Sequence, residues 1–172
     1  GLTSGYLIAK YIIKHFPTPD PRKEYTIIAI PPWCKDDALI QMFETNVGHK
    51  RLYVKHLTKE QMGQLPEEAK NVANIFIRWP EGAESGEGIV VGFDWDKSFE
   101  ECEVEPAWLR DFATWHWWYL RLKMDIWMMD YLDKPEALVF TIKEFDTTPE
   151  QIEKLKSAGV NPLVELGIMP GP

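Results

Sequence analysis

The side chain best suited to chemistry in this sequence is the thiol of Cys34, which ends the segment Pro31-Pro32-Trp33-Cys34. A β-branched run over 26–30 precedes this segment, and residues that can begin a helix follow it. The end of a buried strand and the N-terminus of the next helix converge on one exposed place. A helix N-terminus favours the thiolate, which is the nucleophilic form of cysteine. The pattern therefore makes Cys34 the candidate reactive centre.

The neighbours of Cys34 argue against that reactivity. Lys35 favours a thiolate, but Asp36 and Asp37 place two negative charges beside the sulfur and oppose its ionisation. The other cysteine, Cys102, lies far along the chain, so no CxxC pair is present to resolve a mixed disulfide. The residues alone leave open whether Cys34 pairs with Cys102. They favour a loop that keeps the position of a redox site without its activity.

Composition limits the class of protein. A chain of 172 residues with 45% hydrophobic residues suits one domain with an extension. Its net charge of −8 argues against a nucleic-acid partner, since phosphate binding needs a cationic face. No apolar run is long enough to predict a transmembrane segment. The scattered cysteines and histidines predict no metal site and favour a reducing intracellular compartment, of which the mitochondrion is one.

Hydrophobic periodicity predicts alternating strands and helices, which is typical of an α/β fold. The first predicted elements are a helix over 6–16, a proline-rich linker to residue 24 and a strand over 25–30. A helix that begins near residue 36, a strand over 51–57 and a short irregular helix within 59–70 follow. Hairpin strands over 72–77 and 89–92 and a helix over 93–101 complete this part.

Two of these strands carry a family resemblance. They read Val72-Ala73-Asn74-Ile75-Phe76-Ile77 and Ile89-Val90-Val91-Gly92-Phe93-Asp94-Trp95-Asp96. With the order of elements over 25–101, they resemble the glutaredoxin branch of the thioredoxin fold. The resemblance implies a mixed four-stranded sheet flanked by helices, with a redox loop at 31–34. It also implies a glutathione groove lined by Trp33, Lys35, Val72, Ala73 and Asp94.

The departures from that family decide the expected activity. The family's loop is C-P-[YF]-C, or C-G-F-S in single-cysteine members, whereas this loop holds one cysteine followed by Lys35 and two aspartates. Ala73 stands where the family has a cis proline. The resemblance therefore implies a thioredoxin-like protein without catalysis.

The C-terminal part is predicted to be a Trp-rich extension. A helix over 108–132 is apolar on several sides and must be covered on several sides, either by this chain or by a partner. A strand over 137–145, a helix beginning near Thr148 and a last strand over 162–166 follow. The candidate interface residues are Trp108, Trp115, Trp117, Trp118 and Trp127.

These patterns predict three regions, namely 1–24, a thioredoxin-like domain over 25–103 and the extension over 104–172. The favoured function is an interaction or accessory subunit of a larger protein assembly, by analogy with degenerate thioredoxin folds in mitochondrial complexes. The alternative is a glutathione-dependent monothiol oxidoreductase that uses Cys34. A small-molecule binding module in the extension is a third hypothesis. No cofactor is expected, except glutathione under the alternative.

Overall fold

The computed structural model describes residues 1–80, 82–110 and 114–171. The strands in this part of the chain are β1 (Thr26–Ala29), β2 (Leu52–Val54), β3 (Val72–Arg78), β4 (Gly86–Phe93) and β5 (Val139–Thr147). The helices are α1 (Leu2–His15), α2 (Pro21–Glu24), α3 (Lys35–Phe43), α4 (Lys59–Gly63), α5 (Trp95–Glu101), α6 (Trp115–Met128), α7 (Pro149–Lys156) and α8 (Pro162–Glu165). Short 3-10 turns cover Glu67–Ala69, Pro106–Leu109, Met129–Tyr131 and Pro135–Ala137.

The strands form one mixed sheet in the order β2-β1-β3-β4-β5. β1 and β2 are parallel, and the other neighbouring pairs are antiparallel. The prediction of an α/β fold with a mixed sheet flanked by helices is confirmed. The sheet has five strands and not four, because β5 of the predicted extension pairs with β4 along its whole length.

One face of the sheet is covered by α1, α3 and α6. Leu7, Ile8 and Ile12 of α1 are fully buried in one apolar cluster with side chains of the sheet, and α1 contacts β4 and β5. Leu39 of α3 and Leu120 of α6 join the same cluster. The helix predicted over 6–16 is therefore part of the core, as its apolar face indicated.

The opposite face is covered by α7 and α8. Their Leu155 and Leu163 are buried against Ile28, Ile75 and Val90 of the central strands. Successive side chains of a strand point to opposite faces, so a fully apolar strand such as β3 supplies both clusters.

α1 and α3 cross at very short range. A Cβ atom on Gly5 would lie 2.0 Å from the carbonyl oxygen of Lys35 and 2.8 Å from the Cβ of Ala38. Only glycine permits this approach of the two backbones. The crossing fixes the start of α1 beside the start of α3.

The last predicted strand, over 162–166, is wrong, since Pro162–Glu165 form α8. The Asn161 side chain accepts a hydrogen bond from the backbone N–H of Leu163 at 3.0 Å, and Pro162 stands in the first turn. A cap residue followed by proline begins a helix, and this signal outweighs the apolar run behind it.

The Trp-rich helix is shorter than its predicted range of 108–132. α6 begins at Trp115 and continues through a 3-10 turn to Tyr131, while a separate 3-10 turn covers Pro106–Leu109. The predicted range also includes residues 111–113, which lie outside the described part. Among the residues described, none of the helices is long and apolar enough to cross a membrane.

Candidate functional site

Cys34 lies where the sequence predicted, at the N-terminal end of α3 after the loop that leaves β1. Its thiol is exposed, as is the neighbouring Trp33 side chain. The start of α1 lies against it, because a Cβ atom on Gly1 would come within 2.4 Å of the Cys34 Cβ. The thiol is thus held at the meeting point of two helix N-termini.

A buried polar cluster beneath Cys34 fixes the loop. Lys35 is only 1% exposed, and its Nζ donates to Asp36 Oδ1 at 2.8 Å. The Asn74 amide of β3 donates to the same oxygen at 2.8 Å, and the backbone N–H of Trp33 donates to Asp36 Oδ2 at 2.9 Å. The Asp36 carboxylate therefore joins the loop, the first turn of α3 and the central sheet.

The electrostatics of the cluster follow from its burial. Burial lowers the pKa of Lys35, and attraction to Asp36 opposes part of that shift. Asn74 Oδ1 is buried, and no described group donates a hydrogen bond to it. Asp36 was expected to lie beside the Cys34 sulfur with Asp37, but its carboxylate turns inward to this cluster while Asp37 is exposed.

Four of the five residues expected to line a glutathione groove are instead buried or take part in other contacts. Val72 and Ala73 are buried in β3. Asp94 caps α5 by accepting a hydrogen bond from the backbone N–H of Lys97 at 2.9 Å. Of the five groove residues, Trp33 alone is strongly exposed; Lys35 lies in the buried cluster.

Both cysteines are free thiols. Cys102 is buried at the end of α5, and this burial raises its pKa. No group of three or more His, Cys, Asp or Glu side chains in the described ranges is arranged to hold a metal ion.

The predicted interface tryptophans divide into two sets. Trp108, Trp117 and Trp127 are partly buried and pack against the core. Trp127 also donates from Nε1 to Glu101 Oε2 at 3.0 Å. Trp115 and Trp118, by contrast, are 67% and 65% exposed. The structure therefore leaves two of the five on the outer side of α6.

Those two tryptophans belong to a larger exposed surface that the sequence reasoning missed. We define this outer α6 face as Trp115, Trp118, Tyr119, Leu122, Ile126 and Met129, all of which are exposed. The spacing of three and four residues was visible in the sequence. The sequence could not show which side of the helix faces solvent, because the helix is apolar on its opposite side as well.

A second concave site lies at the β2 edge of the sheet. It is lined by Tyr53–His56, by Gln61 of α4, by Lys156 of α7 and by residues 158–161, and its volume is about 400 Å³. We call it the edge cleft. No sequence motif indicated it, since its two lysines, Lys55 and Lys156, are about 100 residues apart.

Most of the chain matches a known family. The family model described as "FmdE, Molybdenum formylmethanofuran dehydrogenase operon" matches residues 1–141 of the 172. No protein with a curated description matches the chain significantly. The matched range contains Cys34, the buried cluster and the whole outer α6 face.

This match corrects the resemblance to glutaredoxins, which was wrong. The VANIFI strand is apolar because both its faces are buried, so its similarity to a glutaredoxin strand reflects burial and not kinship. The predictions that depended on that kinship are wrong with it, namely a degenerate thioredoxin-like accessory subunit, mitochondrial or otherwise, and a monothiol oxidoreductase. Glutathione was expected only under the oxidoreductase alternative, so the corrected resemblance no longer supports it as a ligand.

Proposed function

Because the chain belongs to the FmdE family, we propose that it serves the molybdenum formylmethanofuran dehydrogenase system and does so by binding a protein of that system. The family description names the operon of that dehydrogenase, and the molybdenum in the description belongs to the dehydrogenase. The observation that carries the proposal is the outer α6 face.

The geometry of this face supports protein binding. At about 100° per residue, the five members from Trp115 to Ile126 fall within an arc of about 100°. Within this arc, Leu122 and Ile126 are 60% and 63% exposed, and Met129 continues the stripe into the following turn. A continuous apolar stripe on a helix is a surface that another protein can cover.

The residue types support the same conclusion. Tryptophan, tyrosine and methionine are enriched at protein interfaces, and a few buried aromatic side chains usually supply most of the binding energy. Full burial of a side chain such as Leu122 or Ile126 is worth about 1.5–3 kcal/mol, part of which offsets the cost of association. Arg121, whose guanidinium lies 5.2 Å from the Trp118 ring, and the exposed Asp130 form a polar border to the stripe.

The test uses the proteins encoded by the operon, each purified singly and titrated against this chain by calorimetry. The double variant Leu122→Asp/Ile126→Asp should weaken binding by at least about a hundredfold, because it places two charges in the apolar contact. Val47→Asp is the matched control, since Val47 is 68% exposed and lies outside α6.

A folding control separates binding from stability. Leu120 points inward from α6 and is 1% exposed, so Leu120→Ala should cost about 2–5 kcal/mol of unfolding free energy. Leu122→Ala should change it by no more than about 0.5 kcal/mol, as for other exposed positions. Wild-type affinity in the folded double variant, or no binding of the wild-type chain to any of the operon's proteins, would refute the proposal.

A further inference from the structure

The edge cleft differs in charge from the rest of the molecule. The chain carries a net charge of −8, yet the residues that line the cleft include Lys55, His56 and Lys156 and no carboxylate. A concave site with one sign of charge concentrates ions of the opposite sign. The charge of the lining therefore selects for an anion.

Lys55 is the central cation of the cleft. Its Nζ donates to the carbonyl oxygen of Lys156 at 3.1 Å and to that of Ser157, both at the C-terminal end of α7. An ammonium group has three donors, so one remains for a ligand. None of the ion pairs among the described residues includes Lys55, and burial lowers the pKa of its ammonium group. The α7 carbonyl oxygens supply only part of a negative charge, so an anion in the cleft can complete the compensation of Lys55.

Lys156 is the second lysine that lines the cleft. Its Nζ lies 5.5 Å from the centre of the Tyr53 ring and 2.8 Å from Glu153 Oε1. The Glu153 side chain is 74% exposed, whereas that of Lys156 is 18% exposed. Water therefore screens the Glu153 carboxylate, and its pair with Lys156 is weaker than a buried one. A ligand anion can therefore replace Glu153 at Lys156 at small cost.

We propose that the edge cleft binds a small anion through a carboxylate or phosphate group held between Lys55 and Lys156. The cleft volume of about 400 Å³ lies in the range of small-molecule sites. Nothing in the proposal depends on the partner of α6, because the outer α6 face and the cleft share no residue.

The experiment titrates the full chain separately with inorganic phosphate and with citrate, at constant ionic strength set with chloride, by calorimetry and by NMR of the Lys55 and Gly159 amides. Saturable binding of one anion is expected, and the two titrations distinguish a phosphate site from a carboxylate site. Absence of saturable binding of both anions up to about 50 mM would overturn the proposal.

Variants then locate the binding. Lys156→Gln should weaken it about tenfold, and Lys55→Gln/Lys156→Gln should abolish it. Glu153→Gln should strengthen it about threefold, because it releases Lys156. Lys154→Gln is the matched control, since Lys154 lies on α7 but pairs with Glu165 at 2.6 Å and does not line the cleft.

Lys55 also holds the end of α7, so its removal can disturb the fold. If the double variant does not fold, the single variants Lys156→Gln and Glu153→Gln decide the outcome, because they should change the anion affinity in opposite directions. Equal affinity in these two variants and the wild type would overturn the proposal. Loss of affinity in Lys154→Gln as large as in Lys156→Gln would show general charge attraction in place of a site, and would overturn it too.

Discussion

The Asn74 amide on β3 donates a 2.8 Å hydrogen bond to Asp36 Oδ1 in the first turn of α3. The same oxygen accepts from the buried ammonium group of Lys35. One carboxylate therefore compensates a buried cation and ties the Cys34 loop to the centre of the sheet.

Replacing this carboxylate should be costly. Asp36→Ala leaves Lys35 buried without its partner, and breaking a buried ion pair in this way costs about 3 kcal/mol or more. Urea unfolding at pH 7 measures the loss. Asp37→Ala is the matched control, because Asp37 is the exposed neighbour, and it should change the free energy of unfolding by no more than about 0.5 kcal/mol. Equal losses in the two variants would contradict the inward orientation of Asp36.

The crossing of α1 and α3 makes a second prediction. Gly5→Ala should destabilise the protein by about 1–3 kcal/mol, because the new methyl group meets the Lys35 carbonyl oxygen 2.0 Å away. In an open helix the same change stabilises by about 0.5–1 kcal/mol. Gly63→Ala at the end of α4 is the control, since nothing lies within 4 Å of a Cβ there. Thermal unfolding of the two variants should therefore shift in opposite directions, and a stabilised Gly5→Ala variant would refute the close crossing.

The buried phenol group of Tyr25 should make the protein less stable at alkaline pH. Burial raises the pKa of Tyr25 to about 12 from its ordinary value of 10.0. Between these two values the unfolded chain releases the phenolic proton before the folded chain does. The folded state then binds more protons, so this contribution to stability is complete below pH 10 and is lost as the pH rises towards 12.

Tyr25→Phe should remove that pH dependence. Denaturant unfolding between pH 9 and about 11.5 should show a flatter decline than in the wild type. The variant should also lose about 1 kcal/mol at neutral pH, because the Tyr25 hydroxyl donates to the carbonyl oxygen of Phe16. Tyr6→Phe alters an exposed tyrosine of α1 and should leave both the slope and the neutral value unchanged. An unchanged alkaline slope in Tyr25→Phe would count against the buried phenol.

Local signals explain which elements could be predicted from the sequence. The buried apolar runs of β1 and β3 gave their strands, and the cap at Thr148 with Pro149 gave the start of α7. α8 was missed because an apolar run of a few residues suits a strand as well as a helix. The Asn161-Pro162 pair is the local signal that distinguishes a helix from a strand here.

The candidate sites were less predictable, because they depend on contacts between distant segments. The inward turn of Asp36 requires Asn74, which is 38 positions away in the chain. The edge cleft unites Lys55 with the end of α7, about 100 residues later. The outer side of α6 could not be assigned, since both sides of this helix are apolar and only the packed structure distinguishes them.

That two-sided helix has a consequence for how the protein can change over time. Leu120 and Leu122 are two positions apart, yet Leu120 is buried in the core and Leu122 faces solvent. Substitutions on the inner side are limited by folding, whereas those on the outer side are limited only by whatever contacts it. The outer side of α6 can therefore change in sequence while the architecture stays the same.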